Sequence, residues 1–295
     1  MAAAFDVHKM PASGNPEDLP ADVRSAVRAF AFKGHSAMSA ELMDAFPALE
    51  LIANYGVGYD TIDVEHAASK GIRVTNTPEV LTDDVADLAV GMLLTLSRDI
   101  IGASNWVRSG NWGKSGAYPL QRTVTGKTVG IAGLGRIGRS IADRLQAFKS
   151  DIHYYSRAEK ETPGWTYHAS VTNLAKAVDI LIVSVSAGPE TAQIISKEVL
   201  EALGADGILV NISRGVTVDE EALLAALQNS TIRSAALDVF NNEPNIDERF
   251  MKLDNVLLQP HQSSATVETR KKMGQLQRDN LEAYFAGEPL VTPVV

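Results

Sequence analysis

Short apolar runs alternate with stretches of helical period along most of this chain. Val27–Phe32, Leu51–Tyr55 and Ile72–Thr75 read as strands. Ser39 is placed to cap a helix over Ala40–Phe46, and Asp63 to start another that Gly71 ends. Pro78 breaks this rhythm. Thr82 then opens a long helix in which Val85, Leu88, Ala89, Met92, Leu93 and Leu96 share a face. A short helix is expected around Ala103–Arg108, and loops over Gly110–Gly116. Thr128–Ala132 is a buried strand, followed by Ile137, Ile141, Leu145 and Phe148 at helical spacing to about Lys149. Asp151–Tyr155, Ile180–Val185, Ile208–Ile212, Ala235–Val239 and Val256–Leu258 are further strands. Ile180–Val185 is apolar but for Ser184, the mark of a central strand covered on both faces. Asp219–Leu227 is a helix with Thr217 and Glu220 in capping-box spacing, and Thr266–Phe285 is a final long helix. Phe5–Met10 reads as a short edge strand, with loop-like sequence from Pro11 to Pro20.

Strands alternating with helices predict an α/β protein: two Rossmann-like or flavodoxin-like parallel-sheet domains with a cleft between them. Residues 1–77 with 266–295 are expected to form one of these domains, and 78–265 the other. In such sheets ligands bind beyond the carboxyl ends of the strands. The residues just after each strand are therefore the informative ones.

Gly133, Gly135 and Gly138 stand in G-x-G-x-x-G spacing between a strand and a helix. The first permits the tight turn, the second lets a pyrophosphate approach the backbone, and the third lets helix and strand pack closely. The helix N-terminus turns free N–H groups toward the phosphates. At the end of the next strand, Ser156 and Arg157 stand where an NAD enzyme carries an acidic residue. With no carboxylate to repel a 2′-phosphate and a guanidinium to bind one, the expected cofactor is NADP(H), with NAD as a weaker alternative.

Arg214, Glu243 and His261 all follow strands of the same sheet. A guanidinium can bind a 2-keto acid's carboxylate and polarise its carbonyl. An imidazolium can protonate the forming alkoxide, and a carboxylate beside it favours its protonated form. Each residue alone is more often an ordinary surface or loop group; their shared edge makes the case. His8, His35, His66, His153 and His168 have no such setting and read as structural or solvated. No His/Asp/Glu cluster has ligand spacing, so no metal is expected.

The 295 residues suffice for two domains, with 45% hydrophobic and 21% charged residues as in globular proteins. The net charge of −9 without a basic run argues against nucleic acid or an anionic membrane as partner. The absence of cysteine excludes a thiol nucleophile, and no signal peptide or spanning segment is evident, so a cytoplasmic enzyme is expected.

The segments Asn54–Asp63, Thr75–Asp83, Gly133–Gly138, Asn211–Gly215, Ala236–Phe240 with Glu243-Pro244, and Pro260–Thr266 together resemble the D-isomer-specific 2-hydroxyacid dehydrogenase family. Within it, the chain is similar to the branch of glyoxylate/hydroxypyruvate and hydroxyphenylpyruvate reductases. The resemblance implies Arg214, Glu243 and His261 as the catalytic set and the backbone N–H groups of Val57 and Gly58 as holders of the substrate carboxylate. It implies Thr82 and Asp238 near the nicotinamide carboxamide, and Arg136 with Ile137 near the pyrophosphate. A homodimer is implied, packed through the long helices after Thr82. Trp112 or Trp106 is either part of that interface or reaches the partner's substrate site. The expected activity is NADPH-dependent reduction of small 2-keto acids to D-2-hydroxy acids; pocket room beside Met38, Tyr55 and Trp112 would rank the substrates. Two rivals remain, a phosphoglycerate dehydrogenase-like enzyme and a nucleotide-sensing binding protein of the corepressor type. The family also has a strand and helix ahead of Phe5–Met10 that this sequence does not show, which predicts an exposed sheet edge in the first domain.

Overall fold

The computed structural model describes residues 4–33 and 37–295. His35 lies outside the described residues. The chain divides into two compact units, Met1–Leu81 with Thr266–Val295, and Thr82–Ala265.

In the first unit α1 (Ala21–Ala26) leads to β1 (Ala29–Phe32), α2 (Ala40–Asp44), β2 (Leu51–Asn54), α3 (Val64–Ser69) and β3 (Arg73–Thr75). The three strands form a parallel sheet in the order β1-β2-β3. β2 is central and wholly buried, its apolar Leu51–Ala53 closed by the buried polar Asn54. Ser39 and Asp63 cap α2 and α3 through their side chains. Phe5–Met10 forms no strand; β1 is the sheet's edge, and Phe5 instead packs its ring on Phe285.

The second unit runs through α4 (Thr82–Arg98), α5 (Ile100–Arg108), α6 (Asn111–Ser115), β4 (Thr128–Ala132), α7 (Arg136–Gln146), β5 (Asp151–Tyr155), β6 (Thr166–His168), α8 (Val171–Lys176), β7 (Ile180–Val183), α9 (Lys197–Leu203), β8 (Ile208–Asn211), α10 (Glu220–Gln228), β9 (Ser234–Leu237) and β10 (Val256–Leu258). The chain then returns to the first unit as α11 (Val267–Ala286), capped by Thr266. Gln277 on α11 donates to the carbonyls of Phe32 and Ala53, tying that helix to both neighbouring strands.

The second sheet has seven parallel strands in the order β10-β9-β8-β7-β4-β5-β6. The order reverses between β4 and β7, so the loops after these two strands part there and leave a crevice. The core is made by the buried residues of β7, β8 and β9 with Leu174, Val199, Leu200, Leu223 and Leu224 from the covering helices.

Three expectations need correction. Gly110–Gly116 contains the short helix α6. Helix α7 stops at Gln146, because Lys149 turns into the left-handed region at φ 57. The capping box at α10 does not form. Asp219 caps the helix by accepting from Ala222 N, while the Thr217 hydroxyl donates to the Arg214 carbonyl. The short elements α1, β6, α8 and α9 carry too few periodic residues to have been read from sequence.

Candidate active site

The glycine turn follows β4. Gly133 has φ +102, and a Cβ on it would lie 2.6 Å from Val185 N. A Cβ on Gly138 would lie 2.2 Å from the Gly133 carbonyl oxygen. Both positions thus demand glycine, one for its turn and one for helix-on-strand contact. Gly135, the N-cap of α7, is different: a Cβ there meets nothing within 4 Å. The backbone at Gly135 faces open space, and Arg136 and Ile137 are the first residues of the helix behind it. These residues fit a pyrophosphate of a dinucleotide, as backbone N–H groups at a helix start do.

Beyond β5, Ser156 is buried and its hydroxyl donates to the Ala158 carbonyl at 2.5 Å. Arg157 is exposed and makes no hydrogen bond or ion pair among the described residues. Lys160, which sequence reasoning missed, reaches back so that its Nζ donates to the Leu134 carbonyl inside the glycine turn at 2.7 Å. The Tyr154 hydroxyl fixes the Lys160 backbone, accepting from its N–H and donating to its carbonyl, both at 2.9 Å. The only signal was the lysine's proximity to Arg157.

The other edge of the crevice carries the candidate proton donor. His261 Nδ1 lies 2.6 Å from Glu243 Oε2, and both side chains are partly exposed. Glu243 Oε1 accepts from Phe240 N at 2.8 Å, so one carboxylate grips the turn that carries it and the imidazole beyond it. His261 sits at φ 50, its N–H donating to the Asp238 carbonyl at 2.8 Å. Asp238 is fully buried. Its carboxylate accepts from Gln262 N at 2.8 Å, from Ser263 N at 3.0 Å and from the Ser263 hydroxyl. In this placement it fastens the loop that presents His261.

Arg214 follows β8. Its carbonyl accepts from Asn211 Nδ2 at 3.1 Å and Thr217 Oγ1 at 2.6 Å, and its Nη1 donates to the Ser213 carbonyl at 2.9 Å. Gly215 brings this loop against the next one: a Cβ there would lie 2.0 Å from the Phe240 carbonyl carbon. The arginine loop and the glutamate turn are therefore in direct backbone contact. Thr82 opens α4 in this same unit.

In the first unit, the Asn54 side chain donates to the carbonyls of Gly56 at 3.2 Å and Gly58 at 2.8 Å, and Asn76 Nδ2 to that of Val57 at 2.9 Å. These bonds use the loop's carbonyls, holding Val57 and Gly58 in one conformation. Among the described residues no cluster of three or more His, Asp or Glu could hold a metal ion, and no helix is long and apolar enough to cross a membrane.

A sequence model described as D-isomer specific 2-hydroxyacid dehydrogenase, NAD binding domain, matches residues 90–263. A hydroxyphenylpyruvate reductase of Plectranthus scutellarioides is 48% identical over 270 residues, 92% of this chain and 86% of that protein. The solved 2-hydroxyacid dehydrogenase of Ketogulonicigenium vulgare superposes with a TM-score of 0.92 at 51% identity, covering 100% of this chain and 93% of that one. An NADPH-dependent glyoxylate/hydroxypyruvate reductase of Sinorhizobium meliloti, solved with NADP and malonate, gives 0.91 at 48% identity, covering 95% and 88%.

Proposed function

We propose that this chain, which belongs to the D-isomer-specific 2-hydroxyacid dehydrogenase family, is an NADPH-dependent reductase of small 2-keto acids such as glyoxylate and hydroxypyruvate, aryl pyruvates included. The observation that carries the reading is the His261–Glu243 contact at 2.6 Å on the ligand edge of a dinucleotide-binding sheet. The product is a D-2-hydroxy acid.

The second unit is the cofactor domain in this reading, with Gly133, Gly135, Arg136, Ile137 and Gly138 at the pyrophosphate and Ser156 and Arg157 toward the 2′-phosphate. NADH is the weaker alternative. Thr82 and Asp238 are assigned to the carboxamide side. A bound dihydronicotinamide would supply the hydride for the keto carbon. The chain's own residues do the rest. Arg214 holds the carboxylate and draws electron density from the carbonyl oxygen. Glu243 engages His261 Nδ1, so the proton for that oxygen leaves from Nε2. The same contact fixes the orientation of the ring from which that proton is delivered. In the first unit, the N–H groups of Val57 and Gly58 are assigned to the substrate carboxylate, with their carbonyls already tied back by Asn54 and Asn76.

The enzyme works as a homodimer. The exposed side chains of Ile100, Ile101, Val107, Trp112 and Leu120 support this, since all lie on or just after α5 and α6. Trp106 is occupied within its own chain, donating to the Gly116 carbonyl at 3.1 Å and meeting Tyr118 edge-on. Trp112 is left as the tryptophan that can serve a second copy.

The test is NADPH consumption with glyoxylate, hydroxypyruvate and 4-hydroxyphenylpyruvate, repeated with NADH. Turnover should be stronger with NADPH. His261→Gln should lose roughly 100- to 10,000-fold in kcat while NADPH binding persists. Binding of NADPH with no turnover of any 2-keto acid would sink the reductase reading.

A further inference from the structure

The turn that carries Glu243 offers two consecutive backbone donors, and a carboxylate takes each. Phe240 N donates to Glu243 Oε1 and Asn241 N to Glu220 Oε1, both at 2.8 Å. Glu220 is the first residue of α10, twenty-one positions away from Asn241. It belongs to none of the groups assigned above. On the other side of the same two residues stands Gly215, whose Cβ, if present, would lie 2.0 Å from the Phe240 carbonyl carbon and 2.3 Å from Asn241 N. The Phe240–Asn241 peptide is thus held between the arginine loop and the Glu220 carboxylate. Farther along, Arg249 pairs with Glu221 at 2.9 Å and with Asp247 at 3.0 Å, tying the far end of the segment to the same helix. Glu243 lies between the two ties.

An acidic residue in a helix's first turn is ordinarily a small electrostatic stabiliser of that helix. Glu221 fits that description, being exposed beside Arg249. Glu220 does not. It is half-buried, and burial holds its carboxyl above the ordinary range despite the opposing hydrogen bonds from Asn241. The negative charges of Asp247 and Glu221 push the same way. A half-buried carboxylate that costs solvation is retained where its geometry has a use.

We propose that Glu220 is a positioning residue for the proton-donating pair: by accepting the Asn241 N–H it fixes the turn that aims Glu243 at His261. The proposal rests on the reductase reading for its kinetic consequence but not for its geometry. Without the acceptor the turn relaxes, the Glu243–His261 contact lengthens, and the imidazole is no longer held in the orientation that delivers its proton. The charges that bear on Glu220 are those of Asp247 and Glu221, each of them paired with Arg249.

The experiment compares wild type, Glu220→Ala, Glu220→Gln and Glu198→Ala. It measures kcat and KM for glyoxylate with NADPH over about pH 5 to 9, and the NADPH dissociation constant by fluorescence. It also records the NMR signals of the His261 ring in the cofactor-free protein at one pH, assigned by their loss in His261→Gln. Glu220→Ala should lower kcat roughly 10- to 100-fold, the scale of a misplaced catalytic group. KM and NADPH affinity should stay within about twofold, the pattern of a loss confined to the transition state. The His261 ring signals should move, because the ring no longer sits at its wild-type distance from the Glu243 carboxylate. Glu220→Gln, which keeps an acceptor oxygen, should restore both kcat and the ring signals, and Glu198→Ala, which removes an exposed first-turn acid from α9 instead, should match wild type. If Glu220→Ala lowers only the melting temperature, or if glutamine restores nothing, the proposal is overturned. If wild type reduces no 2-keto acid, the reductase reading fails, and the His261 ring signals alone still decide the positioning role.

Discussion

At Gly135 and Gly138 a single added methyl group would have opposite consequences. On Gly138 it would sit 2.2 Å from the Gly133 carbonyl oxygen and 3.0 Å from the Ile131 side chain. Helix α7 would have to lift from β4, at a cost of about 1–3 kcal/mol for forced overpacking. Gly138→Ala should therefore melt earlier even without cofactor. On Gly135 the methyl meets nothing within 4 Å, and the backbone at φ −83, ψ −162 suits alanine. Gly135→Ala should keep its melting temperature and lose NADPH affinity about tenfold or more, because the methyl would enter the space proposed for the pyrophosphate. Thermal melts and fluorescence titration of both variants check the pair. A Gly135→Ala protein with unchanged affinity would remove the pyrophosphate from this turn. Gly215→Ala should fail on both counts, since its methyl would strike the backbone of the turn that carries Glu243.

Among the elements, β5 and β6 carry a titratable pair that the sequence did not announce. His153 Nδ1 and His168 Nε2 lie 2.8 Å apart with their rings stacked, and His153 Nε2 lies 3.3 Å from the Asp151 carboxylate. Two ring nitrogens so close share one proton, so the contact needs one of them unprotonated. Burial first, then the His153 ring, holds His168 below its ordinary 6.5. The unfolded chain accordingly binds the proton more readily. The pair's contribution to stability is present in full above about pH 6.5 and is lost as pH falls toward the folded value. His168→Asn should lower the urea midpoint at about pH 8 and lower it less at about pH 5.5; an equal loss at both would rule the titration out. The pair escaped the sequence because it joins two strands by register, and β6 is too short to show a period. The same distinction explains the rest of the chain. The short apolar strands and the glycine turn are local patterns, so the sheet's ligand edge and the places of Arg214, Glu243 and His261 along it were legible. The Glu220–Asn241, Lys160–Leu134 and Gly215–Phe240 contacts are tertiary. At α10 the local pattern misled, because the turn Gly215–Thr217 spends the Thr217 hydroxyl on Arg214 before it can cap.

For the whole molecule the open question is what covers α5 and its surroundings. No residue of α5 is buried, and Ile100, Ile101 and Val107 on it stand exposed with Trp112 nearby and Leu120 at 99%. Fully burying side chains of this kind returns about 1.5–3 kcal/mol each. Five of them together reach the range of the roughly 4–15 kcal/mol that association costs, before any hydrogen bond is counted. Two copies at a net charge of −9 each repel, which added salt screens. The chain should therefore sediment at twice its mass, and the dimer should tighten with ionic strength. Replacing Ile100 and Ile101 together by Asp should give a monomer that melts as a folded protein, because neither side chain supports its own chain's core. Trp112→Ala separates the two uses of that ring. If Trp112 reaches the neighbouring copy's substrate, the variant stays dimeric and its KM for 4-hydroxyphenylpyruvate changes. If it only packs the interface, the dimer weakens and the KM of whatever dimer remains is that of wild type. A wild-type chain that sediments as a monomer at micromolar concentration would withdraw the dimer and the role of Trp112 together.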